Sequence, residues 1–241
     1  MKSNLFVGVI GKGEWGKKVI YNLKNYCKPY LIDRSFKDIN KLKEIKFFFI
    51  ITPVKSHYHI INKILKLKNK IIFCEKPLTT NLYKTKKIFN IANLTKSKIY
   101  ISDIFNYHSS KIKFKNINFI LRTKYSPCSH LEIIDKFLYH DLSLINKKLK
   151  LNTYQKLIIK KNEPNKLKII LVFKNFTFNI FYDLTKKRKV YTFNNYNLLR
   201  NKNILNDLLR KFLKNKVNFK KNNESYLKIQ KLTDKIKNII K

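Results

Sequence analysis

All the glycines of the chain are crowded into one short segment near its start, at Gly8, Gly11, Gly13 and Gly16. Three of them follow the spacing Gly-x-Gly-x-x-Gly, directly after an apolar run and directly before an amphipathic stretch. In a strand–turn–helix unit, Gly11 would permit the tight turn, Gly13 would leave room for a pyrophosphate at the helix N-terminus, and Gly16 would let the helix pack closely. The pattern predicts dinucleotide binding, with Glu14 and Trp15 of the same loop among the contacts.

An acidic residue ends the second predicted strand, residues 30–33. Asp33 lies 22 positions after Gly11, a separation at which a carboxylate can accept hydrogen bonds from the adenosine ribose hydroxyls. A carboxylate there would also repel a 2′-phosphate, so it favours NAD. The neighbouring Arg34 could instead accommodate that phosphate, and NADP therefore remains an alternative.

A lysine follows the fourth predicted strand, residues 71–74, in the sequence Glu75-Lys76-Pro77. Open α/β sheets bind their ligands at the carboxyl ends of the parallel strands, so Lys76 is expected to face the cofactor crevice. Pro77 stiffens the turn that aims it. Its position, rather than its residue type, distinguishes this lysine from the other lysines of the chain.

The first half of the chain alternates short apolar runs with stretches of helical period. Strands are predicted at residues 5–10, 30–33, 47–52, 71–74 and 98–104, and helices follow the first, third and fourth of them. The third run is continuously apolar, as expected for a strand covered on both faces. This alternation predicts a Rossmann-type, doubly wound parallel sheet.

The second half of the chain has a different pattern, which begins near residues 106–113. A strand at 116–124 and a helix at 134–147 precede three closely spaced strands at 167–174, 176–183 and 189–193, and a helical tail closes the chain. Short polar breaks between strands are typical of antiparallel pairing. We therefore predict a Rossmann domain over residues 1–105 and a smaller α+β domain over residues 106–241, with a mainly antiparallel open sheet.

The net charge of +40 could indicate a nucleic-acid-binding protein. However, the chain has 49 Lys but only five Arg and one Ala, and it is rich in Asn, Ile, Phe and Tyr. Those residues share A/T-rich codons, and the lysines are spread through every segment instead of clustering on one face. Without a helix-turn-helix, zinc-finger or RNP-type pattern, we predict no specific nucleic-acid partner.

Three scattered cysteines form no disulfide framework, which indicates a reducing compartment and a cytoplasmic protein. No apolar run approaches the ~20 residues of a membrane span, so no membrane association is predicted. Cys128, His130 and His140 fit no familiar zinc spacing, and we predict no metal site. A serine hydrolase is not indicated, because the sequence Gly-x-Ser-x-Gly does not occur.

Several of these segments, in this order, resemble the Gfo/Idh/MocA family of nicotinamide-dependent oxidoreductases. The matching segments are residues 8–16 (GVIGKGEWG), 52–57 (TPVKSH), 75–78 (EKPL), 140–143 (HDLS) and the closing helix around 208–212 (LLRKF). The EKP segment after the fourth strand is the most specific of them. The resemblance implies a Rossmann domain followed by an α/β domain with an open, mainly antiparallel sheet.

The resemblance also implies transfer of a hydride between the nicotinamide and a carbon of a sugar, cyclitol or nucleotide sugar, such as one used in surface-polysaccharide synthesis. Lys76 would bind the reacting hydroxyl and take part in proton transfer, because a lysine beside a cationic nicotinamide has its charged form disfavoured. His140 matches the second acid/base position. The implied cofactor contacts further include Thr52, Pro53, His57 and Glu75.

Other family positions are matched less closely. Asp103, Tyr107 and Asp141 are candidate substrate residues, and His57 could equally cap or pack against its own helix. Lys136 stands where the family commonly carries an aspartate. This departure and the short second domain leave a catalytically silent NAD-binding sensor or partner subunit as an alternative. The resemblance also implies a homodimer or larger homo-oligomer, because proteins of this family bury the exposed face of the open sheet in dimers.

Overall fold

The computed structural model describes residues 5–33, 42–102, 104, 112–146, 151–199 and 204–241. The chain divides into two compact units, Met1–Ile104 with Asn203–Leu227, and Phe105–Lys202 with Lys228–Lys241. Of the helices in these ranges, not one combines the length and apolarity that a bilayer span requires.

The first unit is built on a five-stranded parallel sheet with the strand order β2-β1-β3-β4-β5. Its strands are β1 (Phe6–Ile10), β2 (Lys28–Leu31), β3 (Phe47–Ile50), β4 (Ile71–Cys74) and β5 (Lys98–Ile101). Every residue of β3 and β4 is buried, because helices cover the central strands. The strands run in one direction, so their carboxyl ends share one edge of the sheet.

Helices connect most of these strands, namely α1 (Glu14–Leu23), α2 (Val54–Leu65) and α3 (Leu82–Leu94). Each presents an apolar stripe at helical spacing, as in α2, where Ile60, Ile61 and Ile64 are buried. Asn81 caps α3 by accepting a hydrogen bond from the Lys84 backbone N–H. The predicted doubly wound fold is confirmed.

Two closing helices follow, α6 (Ile204–Leu213) and α7 (Phe219–Ile240). The prediction assigned both to the second domain, but α6 and the first part of α7 belong to the first unit. The physical reason is Phe212, whose ring lies 5.3–6.1 Å from four aromatic rings of the parallel sheet, those of Phe47, Phe49, Phe73 and Tyr100. An aromatic face of the sheet is covered by the C-terminal part of the chain.

The second unit contains a six-stranded sheet with the order β11-β10-β6-β9-β8-β7. Among its described strands, only β6 and β9 pair in parallel, so the sheet is mainly antiparallel as predicted. Its strands are β6 (Ile117–Thr123), β7 (Lys156–Glu163), β8 (Lys166–Val172), β9 (Thr177–Asp183), β10 (Val190–Phe193) and β11 (Tyr196–Asn197).

A helical segment of the second unit changes its winding in the middle. It consists of α4 (His130–Ile133), a π-helical turn (Ile134–Leu138) and α5 (Tyr139–Asn146). Ser129 and Glu132 form a reciprocal capping box at its start. π-Helical turns are rare and occur frequently at functional sites, and this one directly precedes α5, the helix that carries His140.

Candidate functional site

A cleft of about 400 Å³ lies at the carboxyl ends of three neighbouring strands of the first unit. The residues after β1, β3 and β4 form its walls: Gly13, Glu14, Trp15, Gly16, Ile51, Thr52, Pro53, Glu75 and Lys76. The sequence predicted eight of these nine residues as site residues, and the exception is Ile51. This edge of an open α/β sheet is where ligands bind.

The three glycines of the Gly-x-Gly-x-x-Gly pattern, Gly11, Gly13 and Gly16, differ in what a side chain at each position would contact. Gly11 has φ +113°, and a Cβ on it would lie 2.3 Å from the carbonyl oxygen of Ile51. A Cβ on Gly16 would lie 2.3 Å from the carbonyl oxygen of Gly11, so the start of α1 approaches the loop too closely for a side chain. The protein's own packing therefore requires a glycine at both positions.

Gly13 differs from both, because a Cβ added there would meet no protein atom within 4 Å. Its φ of −66° is ordinary for any residue. Gly13 is also the N-cap of α1 and lines the cleft, so the space that it leaves open adjoins the helix N-terminus. A dinucleotide diphosphate fits this arrangement, since the amides of the first turn can bind an anion there.

Glu75 joins the glycine loop to the turn that carries Lys76. Its Oε1 accepts a 2.6 Å hydrogen bond from Nε1 of Trp15, and its Oε2 accepts a 3.3 Å bond from the backbone N–H of Lys76. Both carboxylate oxygens are therefore used inside the site. Glu75 acts as a bridge within the cleft wall, in addition to its predicted place beside the cofactor.

His57 lies beneath this wall instead of lining the cleft. The residue is 1% exposed, with Nε2 2.7 Å from the carbonyl oxygen of Thr52 and Nδ1 2.9 Å from that of Pro77. Burial lowers the pKa of His57, although both carbonyls oppose the shift. His57 was predicted either to contact the cofactor or to cap or pack against its own helix, and this geometry supports internal packing. The ring joins the loop after β3 to the turn after β4.

Asp33 is exposed and stands just beyond the carboxyl end of β2. The preceding residue is tied to the sheet, because the Ile32 N–H donates to the carbonyl oxygen of Val9. β2 neighbours β1, so Asp33 lies at the same sheet edge as the glycine loop. The predicted residues Arg34, Asp103 and Tyr107 lie outside the described residues.

In the second unit, His140 is the second residue of α5 and is half-buried. The next residue, Asp141, is fully buried: its Oδ1 accepts a 2.8 Å bond from Arg122, and its Oδ2 a 2.7 Å bond from the hydroxyl of Tyr182. The expectation that Asp141 contacts substrate is therefore wrong, because neither oxygen is accessible. Asp141 anchors α5 through an internal ion pair.

The partner of Asp141 is enclosed by aromatic rings. The guanidinium carbon of Arg122 lies 3.6 Å from the ring centroid of Tyr191 and 5.0 Å from that of Phe137. Burial alone would lower the pKa of Arg122, but the Asp141 carboxylate raises it overall. The arginine therefore stays charged, and the sequence motif around His140 rests on a buried charged cluster that sequence analysis missed.

Metal binding has no structural support in the part of the chain that the structure describes. No group of three or more His, Cys, Asp or Glu side chains in these ranges could hold an ion. Cys27 and Cys74 are buried free thiols, and burial raises the pKa of each. A buried, protonated thiol is a poor nucleophile and a poor metal ligand.

Comparison with known structures gives the fold of the whole chain. UDP-N-acetylglucosamine 3-dehydrogenase GnnA from Acidithiobacillus ferrooxidans superposes with a TM-score of 0.79 at 12% identity, over 97% of both chains. A dehydrogenase (MviM) from Clostridium difficile gives 0.75 at 14% identity, over 99% of this chain and 100% of that one. No curated protein sequence matches the chain.

A third similar structure contains ligands. The WlbA (WbpB) dehydrogenase from Thermus thermophilus, in complex with NAD and UDP-GlcNAcA, superposes with a TM-score of 0.74 at 10% identity, over 95% of this chain and 93% of that one. At these identities the likeness establishes the shared two-unit architecture.

The family comparison concerns the first unit. Residues 21–102 match the model of the Gfo/Idh/MocA family, which is described as an oxidoreductase family with an NAD-binding Rossmann fold. The matched range runs from α1 to the end of β5 and includes the Lys76 segment. The resemblance found in the sequence is thereby confirmed: residues 21–102 form an NAD-binding Rossmann domain of the Gfo/Idh/MocA oxidoreductase family.

Proposed function

We propose that the protein is an NAD-dependent oxidoreductase that moves a hydride between the nicotinamide and a CH–OH or ketone carbon of a sugar or nucleotide sugar. One observation carries this proposal. The open space at Gly13 and the amine-bearing Lys76 line the same cleft of about 400 Å³. A dinucleotide cradle and a proton-transfer group are therefore available within one site.

The residues of the chain have separate tasks in this reaction. The first-turn amides of α1 bind the diphosphate, and Asp33 accepts hydrogen bonds from the adenosine ribose. A nicotinamide held in this cleft would supply the hydride acceptor for the oxidation of the substrate carbon, and the hydride donor for the reverse reaction. Lys76 holds the reacting hydroxyl oxygen and takes its proton as the carbon is oxidised, and it gives a proton back in the reverse direction.

His140 is proposed as the second proton-transfer residue. The proposal is supported by the resemblance of residues 140–143 and by the anchored helix that carries the imidazole, through Asp141 and Arg122. Nucleotide sugars are the favoured substrate class, because GnnA and WlbA are both named with a UDP sugar. A homodimer remains our expectation for the assembly.

The first test measures cofactor binding. Trp15 is the only tryptophan of the chain and lines the cleft, so bound NADH is expected to quench its emission by energy transfer. NADPH is expected to bind more weakly, because Asp33 repels the 2′-phosphate. An unchanged Trp15 emission with both nucleotides would contradict the proposal.

The second test separates an enzyme from a silent cofactor-binding protein. NADH formation is followed with NAD⁺ and either UDP-N-acetylglucosamine or free N-acetylglucosamine. We expect wild type to oxidise the nucleotide sugar, and Lys76→Met to keep NADH binding but lose turnover. Wild type that binds NADH and exchanges no hydride with either sugar would favour the sensor or partner-subunit alternative.

A further inference from the structure

The backbone around Lys76 is held by side chains at three successive residues. We call residues 75–78 the Lys76 turn. The N–H of Lys76 donates to Glu75, the carbonyl oxygen of Pro77 faces His57 at 2.9 Å, and the N–H of Leu78 donates a 2.7 Å bond to the hydroxyl oxygen of Tyr226. Two of these side chains come from α2 and α7, which are remote in sequence.

Tyr226 reaches the turn from a helix that is itself fixed to the sheet. One helical turn earlier, the Asn222 side chain accepts a 2.8 Å bond from the N–H of Ile101 and donates a 3.0 Å bond to its carbonyl oxygen. Residues four apart lie on one helix face, so Asn222 and Tyr226 face the sheet together. Tyr226 is fully buried, and its hydroxyl therefore has a defined position.

The bond to Leu78 controls the backbone that follows the lysine. Pro77 has no N–H, so Leu78 supplies the first amide after Lys76 through which the turn can be held. Leu78 is fully buried, and its amide has no access to replacement water if the tyrosine hydroxyl is removed. The turn must then shift to satisfy that amide, and Lys76 shifts with it.

We propose that Tyr226 is a positioning residue that sets the place of Lys76 in the cleft. This inference rests on the proposed function only for the role of Lys76. A misplacement of about 1 Å at a reacting group can reduce the rate by up to roughly a hundredfold. Tyr226 does not line the cleft, and it therefore affects the reaction only through the position of the Lys76 turn.

Tyr226→Phe removes the hydroxyl and keeps the ring. In the intact protein, we expect hydrogen exchange at the Leu78 amide to rise by about tenfold or more, because the amide loses its acceptor. We also expect the emission of Trp15 to shift, since Trp15 bonds to Glu75 of the same turn. Turnover should fall by about tenfold to a hundredfold, while KM and the NADH Kd change by less than about twofold.

Tyr100→Phe is the matched control. Tyr100 is a buried tyrosine of the same unit, and its ring packs against Phe73 and Phe212. This variant should keep wild-type Leu78 exchange, Trp15 emission and turnover. A general loss of stability would not produce the difference between the two variants, since all three measurements are made on folded protein.

Two results would overturn the inference. One is fast hydrogen exchange of the Leu78 amide in the wild-type protein. This measurement does not depend on whether any variant folds. The other is Tyr226→Phe with unchanged Leu78 exchange and Trp15 emission. Failure of the proposed function would give a different result: Lys76→Met would keep wild-type turnover, or the wild-type protein would not bind NADH. Neither result would alter the hydrogen exchange of the Leu78 amide.

Discussion

Nε1 of Trp15 donates a 2.6 Å hydrogen bond to Oε1 of Glu75, which lies 60 residues later in the chain. This bond joins the glycine loop after β1 to the Lys76 turn after β4. The two segments are recognisable separately in the sequence, and the structure makes them one wall of a cleft. A change at either residue should therefore affect both segments.

The Trp15–Glu75 bond can be measured by a double-mutant cycle. Trp15→Phe, Glu75→Ala and the double variant should give a coupling free energy of about 1–2 kcal/mol, because the acceptor is a carboxylate. The free energy of unfolding is measured by urea titration with far-ultraviolet circular dichroism, since two of the variants lack tryptophan. Purely additive effects would show that the bond contributes nothing.

Gly13→Ala should mainly weaken NADH binding, whereas Gly11→Ala should mainly lower the stability of the protein. Alanine at position 13 meets no protein atom, so unfolding should change by less than about 1 kcal/mol while NADH affinity falls by about tenfold or more. Alanine at position 11 meets Ile51 at φ +113°, which should cost at least about 2 kcal/mol of stability.

The comparison uses urea unfolding and Trp15 fluorescence titration with NADH on both variants. Gly11→Ala is the matched control, since it adds the same methyl group to the same loop but points it at Ile51 instead of the open space. Wild-type NADH affinity in Gly13→Ala would show that the dinucleotide does not need a glycine at position 13.

Arg122→Met should strongly destabilise the second unit. It leaves the Asp141 carboxylate buried without its cation, and breaking a buried pair in this way costs about 3–5 kcal/mol. The double variant Arg122→Met/Asp141→Leu should recover part of this loss, because no unpaired charge remains. Thermal unfolding followed by circular dichroism measures both, and a single variant as stable as wild type would contradict the assignment.

His57 should make stability fall in mild acid. Burial lowers its pKa below 6.5 in the folded protein, so below that pH the unfolded chain takes up a proton that the folded chain does not. Stability is then lost as the pH falls through 6.5 toward the folded pKa, by at most about 1.4 kcal/mol per pH unit.

Urea unfolding at several pH values between about 7.5 and 5.5 tests this dependence. His57→Gln should flatten the slope, and His59→Gln, a change at an exposed position of the same helix, should leave it as in wild type. Cys74 also contacts the ring, but burial raises its thiol pKa, so it does not titrate in this range. Equal slopes in all three proteins would exclude His57 as the cause.

The local sequence pattern was sufficient to predict the strands whose residues are all buried. The fourth strand was predicted at Ile71–Cys74 and is observed with the same bounds, since four apolar residues between polar breaks leave little choice. β7 (Lys156–Glu163) was missed. It is an edge strand of its sheet, and its lysines, which are typical of protected edges, obscure the strand alternation.

The candidate site was predictable where its residues follow strands of the parallel sheet, because the fold brings those positions to one edge. The missed features depend on distant contacts. Arg122 precedes Asp141 by 19 residues, and Tyr226 follows Leu78 by 148. Neither lies in a motif, and the π-helical turn before His140 has no local sequence signal. Pairings of this kind are decided by tertiary packing.

The packing of Phe212 on the parallel sheet has a consequence for folding during synthesis. Residues 1–104 leave the ribosome long before α6 does, yet the rings of Phe47, Phe49 and Phe73 are covered by Phe212. The aromatic face of the nascent sheet therefore stays uncovered while residues 105–202 are synthesised. During that time the exposed face can aggregate or be bound by chaperones. The unit that carries the cleft is therefore incomplete until residues 203–227 have been synthesised, although the residues lining the cleft are translated within its first 104 residues.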